Sequence, residues 1–254
     1  LGIARKLYAY AQTAPPAKRA SRANNLAVAL LYVGDREAAC ERAQETVELY
    51  HKLATQRPEA FQAGLAMSLN NLAAMLIALG QHEAACERAQ EAVERYHQLA
   101  AQRPEMFQVD LARSLNNLAN GLSALGQHEA ACDRAQEAVE LRRQLAAQRP
   151  EVFQADLAGS LNNLAVMLSA LGQHEAACES AQEAVELRRP LAAQRPEVFQ
   201  ANLAASLNTL ANMLSALGQH EAACERAQEA VELYRQLAAQ RPEVFQAELA
   251  GALN

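Results

Sequence analysis

Histidine and cysteine recur four residues apart at His82 and Cys86, His128 and Cys132, His174 and Cys178, and His220 and Cys224. On a helix this spacing puts imidazole and thiol on one face, and such an N/S pair can hold zinc. The surrounding residues argue for packing instead. The first member of the series is Arg36 with Cys40, which keeps the pattern without the imidazole. A Cys beside an apolar stripe behaves as a small hydrophobe, and no cluster of cations marks any of the five Cys as an activated thiol. The Gln-His-Glu-Ala-Ala-Cys string has the opening of a zinc-protease helix but not its second His. Glu residues are many, yet they recur on one helix face, as on a solvated surface. Neither a Gly-rich phosphate loop nor a Ser/His/Asp arrangement stands in the sequence. The expectation is no metal, no cofactor and no catalysis, so not an enzyme.

A second series offers hydrogen bonds rather than ionisable groups. Asn24 and Asn25, Asn70 and Asn71, Asn116 and Asn117, and Asn162 and Asn163 are paired, and Asn208 is followed by Thr209. An amide donates and accepts at once, so a ladder of them can grip the backbone of an extended peptide without reading its sequence. The other reading is that one Asn of each pair ties neighbouring helices together and never meets a ligand; the second Asn is the expected outward member. Arg113, Asn116, Asn117, Asn120 and Ser123 fall on one helical row opposite a Leu stripe. In that row one position reads Ser21, Met67, Arg113, Gly159 and Ala205, and another Val28, Ala74, Asn120, Val166 and Asn212, whereas most positions hardly vary. Divergence confined there is expected of partner-specific contacts, with drift at exposed sites as the alternative. The candidate binding residues are therefore Asn25, Asn70, Asn71, Asn116, Asn117, Asn162, Asn163 and Asn208 for the backbone. Met67, Arg113, Asn120 and Asn212 would select among ligands. Arg113 could meet a carboxylate, but no Lys cluster suggests capture of a C-terminus.

These residues are positioned by a repeat. Arg-Pro-Glu recurs at Arg57, Arg103, Arg149, Arg195 and Arg241, always 46 residues apart, and Gly34, Gly80, Gly126, Gly172 and Gly218 keep the same period. Units are expected at 12–57, 58–103, 104–149, 150–195 and 196–241, with the tail of another at 1–11 and part of one at 242–254. Both ends then cut the pattern of a longer array, which leaves end-to-end self-association open.

Each unit reads as two helices. Pro104 suits a first helical position, where its missing N–H costs nothing. Leu111, Leu115, Leu118, Ala119, Leu122 and Leu125 follow the 3.6-residue period up to Gly126, which supplies a left-handed stop. A second helix starts at Gln127 or His128, lines its inner face with Ala131, Ala135, Ala138 and Val139, and runs to about Gln148. Phe61, Phe107, Phe153, Phe199 and Phe245 recur early in the first helix, as packing residues would. Tyr50, Tyr96 and Tyr234 alternate with Arg142 and Arg188 at one position, which suggests partial exposure. Pro190 stands where Gln98, Gln144 and Gln236 stand elsewhere, and predicts a kink or an early end near Arg188.

Composition agrees. Of 254 residues, 51% are apolar, mostly Ala and Leu, with 4% aromatic and no Trp, which predicts an all-α chain with thin Ala seams between helices. The net charge is −6 with both signs interleaved; no basic stripe points to nucleic acid. No apolar run approaches the length of a membrane span. An odd Cys count argues against a disulfide framework and for a reduced, cytoplasmic protein.

The pattern Leu115-x2-Leu118-Ala119-x2-Leu122, followed by Gly126, Ala131, Ala135 and Ala138, resembles the tetratricopeptide repeat signature, with Leu where Trp and Tyr are usual. The Ser-Leu-Asn-Asn-Leu-Ala string at Ser68 to Ala73 and Ser114 to Ala119 is similar to the long repeats of kinesin light chains and of bacterial and fungal signalling ATPases. The resemblance covers essentially the whole chain. It implies a right-handed superhelical solenoid of stacked antiparallel helix pairs, first helices lining a concave groove, and groove asparagines that hold a protein or peptide ligand. The expected function is a protein–protein interaction scaffold. Self-association, or a regulatory sensor role inside a larger signalling protein, is the alternative, and catalysis is expected only from a domain elsewhere.

Overall fold

The computed structural model describes residues 14–252; the expected tail at 1–11 lies outside the described residues. By its contacts the chain divides into two compact units, Leu1–Arg134 and Ala135–Asn254. The first contains α1 (Pro16–Tyr32), α2 (Arg36–Gln56), α3 (Pro58–Ala78), α4 (His82–Gln102) and α5 (Pro104–Ala124). The boundary falls inside α6 (His128–Gln148). The second contains α7 (Pro150–Ala170), α8 (His174–Gln194), α9 (Pro196–Ala216), α10 (His220–Gln240) and α11 (Pro242–Ala252). Among the described residues there is no strand. The architecture is an all-α solenoid of stacked helix pairs. In the first unit each helix from α1 to α5 packs on the next, and the first helices also meet, α1 with α3 and α3 with α5. The second unit repeats this from α7 to α11, with α7 meeting α9.

Proline and glycine set the helix limits. Pro58, Pro104, Pro150 and Pro196 open first helices, each preceded by an Arg held in the extended region, with φ −143° at Arg57 and Arg103. Glu59, Glu105, Glu151 and Glu197 sit in the first turn, at the positive end of the helix dipole. At the other end Gly80 takes φ +73°, its N–H bonds Ile77 O at 2.9 Å, and the Gln81 N–H reaches back to Leu76 O at 2.9 Å. This pair of bonds satisfies carbonyls the helix end would leave open.

Between the helices lies an aliphatic seam. Leu65, Leu69, Leu72 and Met75 of α3 are at most 2% exposed, and burying each such side chain contributes about 1.5–3 kcal/mol. Opposite, the seam of α4 is Ala85, Ala89 and Ala92, all buried, so backbones approach closely and no methylene is wasted. By length and composition α3 could also cross a membrane; here the apolar residues that give it that character face α2, α4 and α5. Phe107, Phe153, Phe199 and Phe245 sit under the Arg that precedes their helix, with Arg103 5.6 Å from the Phe107 ring and Arg195 5.7 Å from that of Phe199.

Two expectations are corrected. At the position shared by Tyr50, Tyr96, Arg142, Arg188 and Tyr234 the expected partial exposure holds for Arg142 alone; the other four are buried, because the next first helix closes over them. Tyr50 fits only because residue 64 is Gly: a Cβ there would lie 2.5 Å from its ring. Nor does α8 end near Arg188. It continues through Pro190 to Gln194. Glu186, whose carbonyl loses its partner, and Pro190 itself are both exposed, while buried Ala184, Val185 and Ala192 hold the helix in place.

Candidate functional site

The asparagine ladder is built into the helix contacts. Asn24, Asn70 and Asn116 are buried at 9%, 5% and 8% exposure, whereas Asn71 and Asn117 are half-exposed and Asn25 is exposed. Asn71 Nδ2 donates to Asn24 Oδ1 at 2.9 Å, and Asn117 Nδ2 donates to Asn70 Oδ1 at 2.9 Å. The outer amides of the second and third repeats are thus latched to the inner amide of the repeat before each. One N–H of Asn71 and of Asn117 is committed to this latch. The Oδ1 and the second N–H of both have no protein partner.

In the second unit the latch is missing. Asn162, Asn163 and Asn208 are half-exposed. Thr209 stands where an outer Asn would be and donates its hydroxyl to Ala205 O of its own helix at 3.1 Å. Asn162 Oδ1 is buried without a hydrogen bond.

Around the ladder, the first-helix face carries the positions that vary between repeats. Ser21, Arg113, Val166 and Asn212 are exposed, and Met67, Ala74, Asn120, Gly159 and Ala205 are half-exposed. Arg113 pairs with Asp110 on its own helix at 3.2 Å, so its charge is already shared.

Sequence reasoning missed what lies under this face. Arg142 donates to Asp156 O at 2.6 Å and stands 3.7 Å from the Asp156 carboxylate. One repeat later Arg188 makes the same backbone bond, to Asn202 O at 2.7 Å, and a second to Ser206 Oγ at 2.5 Å. Burial lowers the Arg188 pKa from its ordinary value, with the nearby Tyr234 acting in the opposite sense. The signal that could have found the site was internal: residues fourteen apart read Tyr50/Gly64, Tyr96/Asp110, Arg142/Asp156, Arg188/Asn202 and Tyr234/Glu248, so each of the two Arg stands fourteen residues before a polar one.

Among the described residues no three His, Cys, Asp or Glu converge as metal ligands. All five Cys are free; burial raises the pKa of Cys40, Cys86, Cys132 and Cys178, the opposite of what activates a thiol.

The tetratricopeptide repeat family matches residues 19–54, 65–100 and 111–147 in one form and residues 156–236 in another. No curated protein matches the chain. Solved structures share the fold at low identity. BtubC (BKLC) from P. vanneervenii is 21% identical, with 93% of this chain and 87% of that one covered and a TM-score of 0.70. A putative kinesin light chain of nearly identical TPR-like repeats from Podosopora anserina is 23% identical, covers 90% of this chain and 100% of its own, and scores 0.64. MamA is 15% identical over 84% of this chain and 96% of its own, at 0.53.

Proposed function

The chain belongs to the tetratricopeptide repeat family, whose arrays generally mediate protein–protein interaction and are typically not enzymes, and from that premise we propose that the first-helix face of each unit holds an extended peptide or a partner's helix. One observation carries the reading. On the first-helix face the repeats differ at Met67 against Arg113 and at Val166 against Asn212, and packing leaves these positions accessible. Their neighbours Leu69, Leu115, Leu161 and Leu207 are identical in four repeats and buried, with Ala23 in the first. Asn71 and Asn117 bring one latched N–H each and keep an acceptor and a donor for a partner's backbone. Asn25 and Asn163 offer amides at the same register, while Asn70, Asn116, Asn162 and Asn208 stand at the inner position beside it. Five free thiols fit a reducing, cytoplasmic setting.

The test is selection of ligands from a displayed random-peptide library, followed by affinity measurement on substituted protein. Met67→Ala and Arg113→Ala, on the first-helix face, are expected to weaken the selected peptide about tenfold. Gln44→Ala and Gln90→Ala, on exposed second-helix positions, are expected to change little. Losses confined to Gln44 and Gln90 would overturn the reading. A mass that rises with concentration in sedimentation would assign the face to self-association instead.

A further inference from the structure

The strongest unexplained group in the second unit is the Arg188 guanidinium. Arg188 is only 8% exposed, and a buried arginine ordinarily has a carboxylate beside it. Arg142 has one, in Asp156. At the equivalent place Arg188 meets Asn202, which accepts through its backbone but carries no charge. Both hydrogen bonds of Arg188 leave from Nη1, to Asn202 O and Ser206 Oγ. Nε is buried with no partner at all, and Nη2 makes no hydrogen bond.

Nε and Nη2 form one complete edge of the guanidinium fork, the edge that binds a carboxylate through two parallel N–H···O bonds. Gly159 lies beside the Nη2 end of that edge. A Cβ on Gly159 would stand 3.7 Å from Nη2 with no other atom near it. In the repeats before and after, Arg113 and Ala205 occupy this row, whereas Gly159 places no side chain between the first-helix face and Nη2.

We propose that Arg188 is a seat for a carboxylate of a bound peptide, which enters across Gly159 and lies bidentate on Nε and Nη2. The inference rests on the first-helix face being the partner face, and it adds the partner's chemistry: an acidic group in register with the fourth repeat. An incoming carboxylate supplies the charge that Asp156 supplies to Arg142, and satisfies the orphaned Nε. Because Nη1 is already fixed by Asn202 and Ser206, the fork is oriented before the ligand arrives, which reduces the ordering cost of binding.

The test uses the full chain labelled with 15N in arginine, with the Arg188 Nε–H resonance followed during titration with sodium acetate and, separately, sodium chloride. Acetate is expected to shift that resonance saturably and chloride is not. Asn202→Asp rebuilds the Arg142–Asp156 arrangement and is expected to weaken the acetate response about tenfold or more. Gly159→Met, which copies Met67 of an earlier repeat, is expected to abolish it with helix content unchanged. An acetate response equal to chloride, or one indifferent to both substitutions, overturns the proposal. A C-amidated peptide with a central Glu, its Gln twin, and the Gln twin with a free C-terminus then separate a side-chain carboxylate from a terminal one. If selected peptides bind with Glu and Gln equivalent, the seat fails and the partner face survives. If acetate saturates at Arg188 yet no peptide binds, the seat stands and the partner face fails.

Discussion

Exchanging one residue between the two units tests the latch, because the molecule already contains both versions. Asn117→Thr gives the first unit what the second has at Thr209, and Thr209→Asn does the reverse. In the first case the 2.9 Å bond from Asn117 Nδ2 is lost and Asn70 Oδ1, on a residue 5% exposed, is left without a donor. An orphaned buried acceptor costs about 1–3 kcal/mol. In the second case Asn162 Oδ1, now without a partner, gains a donor, a net gain of about 0.5–1.5 kcal/mol. The Thr209 hydroxyl bond given up is to its own helix and offsets little. Asn and Thr have nearly equal helix propensity, so the swap isolates the latch. For a chain of this length the gain raises the melting temperature by roughly 1–6 °C. Urea unfolding followed by circular dichroism measures the midpoint, and native-state hydrogen exchange in α5 and α9 assigns each change to its unit, since repeat arrays can open piecewise. A Thr209→Asn midpoint unchanged or lowered, together with an unchanged Asn117→Thr, would refute the latch.

Three further predictions follow from packing and charge. Two helix glycines should respond to alanine with opposite signs: Gly64→Ala drives a Cβ to 2.5 Å from the Tyr50 ring and destabilises by about 1–3 kcal/mol, whereas Gly159→Ala meets only Nη2 at 3.7 Å and stabilises by roughly 0.5–1 kcal/mol through helix propensity; thermal unfolding of both decides, and equal signs would contradict the packing. Pro190→Gln, which restores the N–H toward the Glu186 carbonyl, should stabilise by about 1–3 kcal/mol, and a lower urea midpoint would show that the proline is held for a reason other than tolerance. Burial raises the thiol pKa of Cys40, Cys86, Cys132 and Cys178 and the phenol pKa of Tyr50, Tyr96 and Tyr234. The folded state then holds protons the unfolded chain releases, so this stability is present below the unfolded values of about 8.5 for Cys and about 10 for Tyr and is lost above them. The urea midpoint should fall as pH rises from about 8 to about 10.5, and a flat profile would contradict the burial.

Much of the architecture was legible because its signals are local. Pro at a first helical position and Gly at a left-handed stop act within a few residues, and the 46-residue period fixes which neighbour each helix meets. What stayed hidden depends on packing between repeats. The outward turn of the second Asn was expected, but its latch to the inner Asn of the preceding repeat follows from the approach of α3 to α1 and α5. Tyr50 and Arg188 looked half-exposed because their side chains are amphipathic, and only Gly64, Asn202 and Ser206, far along the sequence, close the space around them. Pro190 breaks a hydrogen bond on the exposed side of α8, so a local rule gave way to the packing of the opposite side.

The claim that matters most is that the first-helix face is where a partner sits, and photo-crosslinking tests it directly. A benzophenone side chain placed at Arg113 should label the library-selected peptide in high yield, and one placed at Gln90, on the second helix of the preceding repeat, should leave it unlabelled. Labelling from position 90 with none from position 113 would contradict the account.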